Sequence, residues 1–225
     1  MPLVPGIQPL VNQLLQALSD LLRTDASRDI LKTTWSRFQA LVTPPQGIYE
    51  VLNLDMCLEL KDIQGKKAVL TKRQRVRFLQ DYVIAFADQA WGDGEIFADY
   101  RCSPGVAVDR YREGYKYRVL ISLRDTKNRG DTQEIFIERT IRNGFTKKTE
   151  DFQLQVEHPT RRACLTVIFP PERPPRHVRL IEQDTRRVSP LNMSDTQRLP
   201  DGRWQIKWER SKVRQFETYI LEWEW

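Results

Sequence analysis

Residues 49–61 read YEVLNLDMCLELK, and apolar and polar side chains alternate along this segment. Alternation is the pattern of a β-strand with one buried and one exposed face, because successive side chains of a strand point to opposite faces. The side chains assigned to the buried face are Leu52, Leu54, Met56, Leu58 and Leu60. The segment therefore predicts a half-buried strand.

The same two-residue period recurs through the rest of the chain. It is found in AVLTKRQRVRF (68–78), YKYRVLISL (115–123), QEIFIERTI (133–141), DFQLQVEH (151–158), ACLTVIF (163–169), RWQIKWE (203–209) and ETYILEWEW (217–225). With the turns between them, these segments predict an antiparallel β-sandwich of roughly ten to twelve strands over residues 48–225. No helical period intervenes, which argues against a parallel nucleotide-binding sheet. The proline-rich PPERPP (170–175) predicts a crossover between sheets.

The first 47 residues have a different period. Apolar residues there recur in steps of three and four, which predicts an α-helical hairpin that ends at TPPQG (43–47). Two such short helices cannot bury their own leucines, so their apolar face must contact the β domain, a second copy or another protein. The candidate partner face is formed by Leu14, Leu18, Leu22, Trp35 and Phe38.

The composition predicts a folded cytoplasmic protein. The chain has 36 basic and 30 acidic residues, hence a formal net charge of +6. The N-terminus has no basic region typical of a signal peptide, and nowhere do eighteen apolar residues follow one another, so we expect no membrane span. Three cysteines without paired spacing predict free thiols in a reducing compartment, and no metal or other cofactor is predicted.

The segment QAWGDGEIFADYRCSPG (89–105) contains the acids Asp93, Glu95 and Asp99 around two glycines. Calcium requires more oxygen ligands than these three side chains offer. Asp93-Gly94 is instead the dipeptide that a tight β-hairpin favours, because glycine adopts a positive φ at little cost. We therefore predict a hairpin turn here. A catalytic pair formed by Glu95 and Asp99 stays a weaker alternative.

Nucleophilic catalysis has little support in the sequence. A dyad of Cys102 with one of the two histidines, His158 or His177, is conceivable, yet no helix N-terminus precedes Cys102 to lower its pKa. No nucleophile elbow, Walker loop or dinucleotide-binding glycine motif follows a strand. The sequence predicts a protein that is not an enzyme.

Arginines are concentrated in two regions of the sequence, and either region could bind phosphate groups. Arg73, Arg75 and Arg77 share one face of a strand, and a second group follows between residues 161 and 187. Acids lie close to both groups, so ordinary ion pairs across the sheet explain them equally well. The candidate ligand-binding or nucleic-acid-binding residues are Arg73, Arg75, Arg77, Arg161, Arg162, Arg176 and Arg179.

Taken together, these patterns predict a non-catalytic interaction or ligand-sensing module. The β domain (48–225) would recognise a ligand, and the helical hairpin (1–47) would couple to a protein partner or to a second copy. The alternative is a protein that binds nucleic acid or nucleotide phosphates through its arginines, which would show a steep dependence on salt.

Overall fold

The strand predicted over residues 49–61 forms β1, and the chain is mainly β-structure. The computed structural model describes residues 47–191 and 195–225. The predicted helical hairpin, including Leu14, Leu18, Leu22, Trp35 and Phe38, lies outside the described residues. Within the described ranges there is no helix with the length and apolarity needed to cross a bilayer.

Fourteen strands form in the described residues, more than the ten to twelve that the sequence predicts. They are β1 (Tyr49–Leu60), β2 (Lys67–Phe78), β3 (Val83–Ala90), β4 (Glu95–Ser103), β5 (Val106–Glu113), β6 (Lys116–Lys127), β7 (Thr132–Arg142), β8 (Thr149–Gln155), β9 (Arg162–Phe169), β10 (Arg176–Glu182), β11 (Arg187–Pro190), β12 (Thr196–Arg198), β13 (Trp204–Ser211) and β14 (Thr218–Glu224). The strand β5 is exposed along its whole length, so it carries no alternation of burial that a sequence could reveal.

The strands form three sheets. A seven-stranded sheet has the order β12-β13-β9-β1-β2-β7-β4, a four-stranded sheet the order β11-β10-β14-β8, and a three-stranded sheet the order β3-β6-β5. Neighbouring strands are antiparallel, apart from β1 and β9, which pair in parallel. The prolines of residues 170–175 connect β9 in the seven-stranded sheet with β10 in the four-stranded sheet, which is the crossover predicted for this segment.

The predicted hairpin around Asp93-Gly94 is wrong. The strand β3 pairs with β6, whereas β4 pairs with β7 in a different sheet. Gly94 has a φ of +72°, and a Cβ atom there would lie 2.2 Å from the carbonyl oxygen of Arg142. The glycine is therefore needed where the chain crosses between sheets and passes close to the end of β7.

The inward face of the sheets is apolar and tightly buried. Leu58, Ile137 and Trp223 are each fully buried, and the aromatic residues of β14 belong to the core as the alternation of that strand predicts. One detail of β1 differs from the prediction. An irregularity in the pairing follows Val51, so that Leu52 is only half-buried while Val51 on one side and Leu54 on the other are buried.

Candidate functional site

The arginine row on β2 lies on the exposed face of the seven-stranded sheet, and acids of β1 lie beside it. Arg73 faces Asp55 across the strand pair, and Arg77 faces Glu50, with which it also forms an ion pair. Arg75 lies between them and faces Asn53. The row is thus interleaved with negative charge from the neighbouring strand.

Arg161 and Arg162, at the start of β9, contact the same acids from the other side of β1. Arg161 lies 3.4 Å from Glu50, and Arg162 lies 2.8 Å from Asp55 and 2.7 Å from Glu209. Hydrogen bonds, led by the one from Arg162, lower the pKa of Glu209 to about 2. These five arginines therefore share one surface, and ion pairs run across it.

The two remaining candidate arginines lie on a different sheet. Arg176 and Arg179 belong to β10, where Arg179 forms an ion pair with Glu222 and Arg176 faces Glu224 of β14. The structure thus brings five of the seven arginines together and places the other two on the four-stranded sheet, again next to carboxylates.

The acids of the loop after β3 and of β4 are also engaged by basic side chains. The pairs are Asp93 with Lys147, Glu95 with Arg142 at 3.7 Å and Asp99 with Arg101 at 3.2 Å. No group of three or more metal-ligating side chains occurs in residues 47–191 and 195–225. The carboxylates of this segment therefore serve as ion-pair partners on the surface.

The cysteines are poor nucleophiles in this fold. Burial raises the pKa of Cys102 and of Cys164, and it raises the pKa of Cys57 to about 11. The Sγ atom of Cys102 lies 3.9 Å from the carbonyl oxygen of Gly105, while His158 stacks on a tyrosine. Since the thiolate is the reactive form, little of it would be present at neutral pH.

A cavity of about 450 Å³ lies between the sheets. Strands of the seven-stranded sheet line one side, and β3 and β8 of the two smaller sheets line the other. Its apolar lining includes Leu54, Met56, Leu58, Leu70, Ile141, Phe152 and Leu154. A volume of this order is that of sites for small organic ligands, which span about 300–1,000 Å³.

A polar cluster of Asp88, Tyr100 and Lys72 lies in the core, and only Lys72 of the three lines the cavity. Asp88 of β3 is 2% exposed, and its carboxylate accepts hydrogen bonds from Lys72 Nζ at 3.0 Å and from the Tyr100 hydroxyl at 3.2 Å. Burial, followed by the charge of Asp88, raises the pKa of Tyr100, so that its hydroxyl remains a donor. Lys72 itself lines the cavity.

Arg139 of β7 is the most unusual residue of the cavity lining. It is 7% exposed, and neither Nε nor Nη1 of its guanidinium has a hydrogen-bond partner in the part of the chain that the structure describes. Burial lowers the pKa of Arg139, while Asp88 and Tyr100 act in the opposite direction. Arginine nevertheless remains protonated in proteins, so a positive charge is buried here.

A second donor lines the cavity without a partner. Gln74 of β2 is 3% exposed, and its Nε2 atom has no hydrogen-bond partner among the described residues. Buried polar groups in folded proteins almost always have a partner, and those that have none require an explanation. Arg139 and Gln74 lie on adjacent strands of the same sheet, and their unsatisfied nitrogen atoms are enclosed by the protein.

The rim of the cavity is held by a further polar network. Lys116 is 8% exposed, and its ammonium group donates to Gln89 at 3.2 Å, to Gln155 and to Glu157 at 3.2 Å. Against the effect of burial, hydrogen bonds from Arg118 and Lys116 keep the pKa of Glu157 below its ordinary value. These contacts connect the three-stranded sheet to the strand β8 at the mouth of the cavity.

The candidates from the sequence included none of Lys72, Gln74, Asp88 and Arg139, although a signal for these four buried residues was present. Each occupies a position that the two-residue period assigns to the buried face: Lys72 and Gln74 between Leu70 and Val76, Asp88 between Phe86 and Ala90, and Arg139 between Ile137 and Ile141. A charged residue at a buried position of a strand is the pattern that would have identified them.

The charged side chains that line the cavity are of both signs. Of the described residues that line the cavity, none is a serine or a cysteine. Its charged side chains are the cations Lys72, Arg139 and Lys147 and the carboxylates Asp93, Glu150, Asp151 and Glu157.

Comparisons with known proteins give likenesses of fold. No family model and no curated protein matches the sequence. A candidate protease from Parabacteroides distasonis has a TM-score of 0.49 at 8% identity, over 79% of this chain and 40% of that one. An M1 zinc metallopeptidase from Deinococcus radiodurans, in a mutant bound to a Tyr-Ser-Ala substrate, has a TM-score of 0.47 at 11% identity, over 78% and 43%. The chain therefore spans about two fifths of the length of these structures.

Proposed function

We propose that the β domain is a β-sandwich-like recognition module that binds a small ligand between its sheets and leaves it chemically unchanged. The observation that carries this proposal is the cavity of about 450 Å³ between the sheets, which both apolar and charged side chains line. The interior of a protein is normally as densely packed as an organic crystal, with few voids larger than a water molecule. A space of about 450 Å³ falls within the range of small-ligand sites, about 300–1,000 Å³.

Ligand-observed NMR on the full chain tests the proposal, with a mixture of small organic acids, alcohols and amines. At least one of these compounds should bind with a Kd below about 1 mM, within the range of a weak specific site. Leu154→Trp places a larger side chain in the cavity wall and should abolish this binding. Leu52→Trp, the same exchange at a half-buried position outside the cavity, should leave binding intact.

Two results would contradict the proposal. Either none of the compounds binds, or the bound compound is insensitive to Leu154→Trp. Mass spectrometry of the recovered compound gives an independent check, because a recognition module returns the ligand unaltered.

The N-terminal residues supply the second part of the proposed function. Their two apolar stripes support a role in coupling the β domain to a protein partner or to a second copy. Light scattering on the full chain would detect self-association, which Leu14/Leu18/Leu22→Ser should abolish. Gln13/Gln16/Asp20→Ser, on polar positions of the same segment, is the matched control. A full chain that is monomeric, with or without the leucine exchanges, would exclude a second copy and leave contact with the β domain or with a different protein.

A further inference from the structure

The two smaller sheets pack on the same face of the seven-stranded sheet and leave a gap between them. One row of inward-facing side chains crosses four neighbouring strands of that sheet, from β13 to β2: Trp208, Leu165, Met56 and Lys72. At one end of the row Trp208 contacts Tyr219 of β14, with 4.8 Å between the ring centroids, and at the other end Lys72 bonds to Asp88 of β3. Neighbouring strands lie about 4.8 Å apart, so three spacings, or about 14 Å, separate β13 from β2. The strands β14 and β3 lie above these two and leave room between them for two strands.

One of these two positions is filled. Leu154 of β8 lies opposite Tyr219 of β14, and β8 is the edge of the four-stranded sheet. The other position lies above β1, between the edge strands β8 and β3, and none of the described strands occupies it. The cavity is located there, because four inward-facing residues of β1 line it: Val51, Leu54, Met56 and Leu58. The layer opposite the seven-stranded sheet therefore lacks one strand within residues 47–191 and 195–225.

The edge of β8 presents unpaired backbone groups to this gap. The carbonyl of Lys148 accepts a hydrogen bond from the amide of Trp225, and the amide of Val156 donates to Glu217, so the even-numbered residues bond toward β14. Successive residues of an antiparallel strand direct their N–H and C=O groups to opposite sides. The residues whose backbone groups point away from β14 are therefore Thr149, Asp151, Gln153 and Gln155. Every residue from Thr149 to Gln155 lines the cavity, as expected where a cavity runs along a strand edge.

The contacts found across the gap in the described residues are made by side chains. The indole Nε1 of Trp91 donates a hydrogen bond to Gln153 at 3.2 Å, and the Lys116 ammonium group donates to Gln155. Neither contact engages the backbone of β8. An edge strand with free backbone groups is a template for pairing with a further strand.

Carboxylates are concentrated at the end of this edge near Thr149. Asp93, Glu150 and Asp151 line the cavity there with Lys147, which forms an ion pair with Asp93. Burial raises the pKa of Glu150, and the charges of Asp151 and Asp93 act in the same direction, against the contacts of Lys147. The Asp151 carboxylate accepts a hydrogen bond from the Gln153 amide at 2.8 Å and has no ion pair with a described residue. A basic side chain of a partner would be attracted to this point.

We infer that an extended segment of a partner protein inserts between β8 and β3 as an additional strand, with apolar side chains at alternate positions and a basic side chain beside Asp151. This inference rests on the proposed function, because the segment occupies the same cavity. Its main chain bonds to the odd-numbered residues of β8, which gives affinity, and its inward side chains contact Leu54 and Met56 of β1, which gives specificity. Since β8 has seven residues, a segment of about that length is sufficient.

Titration of the full chain with two pools of synthetic peptides of about seven residues tests the inference. In the first pool valine, leucine or phenylalanine alternates with lysine or threonine, and in the second pool the same residues are ordered so that the apolar ones are consecutive. The first pool should bind at least about tenfold more tightly, as measured by NMR. Its binding should slow the amide exchange of Asp151 and Gln153 more than that of Phe152 and Leu154, because the latter two already bond to β14.

Two substitutions at one position separate backbone from side-chain effects. Gln153→Pro removes the N–H group that faces the gap and leaves the bonds to β14 in place, since proline is tolerated on an edge strand. It should weaken binding of the first pool at least about fivefold, because one donor is lost. Gln153→Ala removes the same contact with Trp91 but retains the N–H group, and it should bind as tightly as the unaltered protein.

The basic side chain is tested separately. Asp151→Asn should weaken binding of the lysine-containing peptides at least about twofold, which is the effect of an ion pair at a surface. Asp109→Asn, at an exposed position of β5, is the control and should leave their binding unchanged. Equal effects of the two substitutions would overturn the assignment of a basic side chain beside Asp151.

The outcomes distinguish this inference from the proposed function. If small compounds bind and neither peptide pool does, the inserted strand is wrong and the proposed function stands. Equal binding of the two pools, or equal binding by Gln153→Pro and Gln153→Ala, would also overturn the inserted strand. If neither peptides nor small compounds bind, both proposals fail. Thermal unfolding shows whether Gln153→Pro folds, and the contrast between the pools in the unaltered protein decides the question even if it does not.

Discussion

The carboxylate of Asp88 lies 3.0 Å from the ammonium nitrogen of Lys72, with only 3% of the aspartate side chain and 14% of the lysine side chain exposed. The two residues come from different sheets, β3 in the three-stranded sheet and β2 in the seven-stranded sheet. This ion pair is thus a polar connection between two layers of the domain.

Asp88→Asn should destabilise the fold by about 3 kcal/mol, because removal of one partner leaves the other charge buried without compensation. Urea unfolding followed by tryptophan fluorescence measures the change. Asp99→Asn is the control, since its pair with Arg101 is exposed and should contribute less than about 0.5 kcal/mol. Equal effects of the two substitutions would show that the buried pair contributes no more than a surface pair.

The stability of the domain should depend on pH through His158. Its ring lies 4.2 Å from the ring of Tyr49, and burial lowers its pKa, with smaller effects of Lys72 and Arg118 in the same direction and of Glu157 in the opposite one. The folded state therefore binds a proton at His158 less readily than the unfolded state, whose histidine titrates near pH 6.5. Stability should fall as the pH drops below about 6.5.

The substitution His158→Phe keeps an aromatic ring on Tyr49 and removes the titration. We expect the free energy of unfolding of this variant to change less between pH 7 and pH 5 than that of the unaltered protein. The comparison cancels the contributions of carboxylates, which are common to both proteins. His177→Gln, at an exposed position of β10, should leave the pH dependence as it is. An identical pH profile for His158→Phe and the unaltered protein would show that His158 is not the group responsible.

Gly94→Ala should be among the more damaging glycine substitutions in the chain. The added Cβ atom would lie 2.2 Å from the carbonyl oxygen of Arg142, in addition to the strain of a positive φ. Gly114→Ala provides the control, because its φ of +62° is similar and no atom lies within 4 Å of the added Cβ. We expect a loss of about 1 kcal/mol at Gly114 from backbone strain alone. Thermal unfolding should show a clearly larger loss at Gly94, and similar losses would exclude the close approach as a cause.

The arginine surface should bind generic DNA and RNA weakly. Acids pair with Arg73, Arg77, Arg161 and Arg162, so the local surplus of positive charge is small. Binding measured by fluorescence anisotropy at 50 and 200 mM salt should change little in Arg73/Arg75/Arg77→Ala. A steep dependence on salt that the triple variant removes would instead favour the nucleic-acid alternative.

The sequence predicts individual strands of this fold better than it predicts their pairing. Alternation identifies β1 and β14 because each buries one face, which is a local property of the strand. The partner of a strand is not local. Asp93-Gly94 forms a turn in either arrangement, so the dipeptide could not reveal that β3 and β4 belong to different sheets. Edge strands such as β5 have no buried face and leave no pattern in the sequence.

The candidate site was predictable only in part. The exposed orientation of Arg73, Arg75 and Arg77 followed from their parity. The position of the turn placed Asp55 opposite Arg73 or Arg75, and Arg73 is the partner. The parity of Arg139 likewise placed a charge on the buried face. The open space beside Arg139 depends on how the three sheets pack against one another. A two-residue period in the sequence carries no information about that packing.

Each of the three sheets carries its own hydrogen-bond ladder, and no strand in the described ranges pairs with a strand of another sheet. Backbone hydrogen bonds of the ladders therefore do not hold the sheets to one another, and side-chain contacts such as the pair of Lys72 with Asp88 do. A ligand that contacts all three sheets would restrict their movement relative to one another. Binding of such a molecule should slow the exchange of backbone amide hydrogens in β3 and β8, including amides that it does not contact.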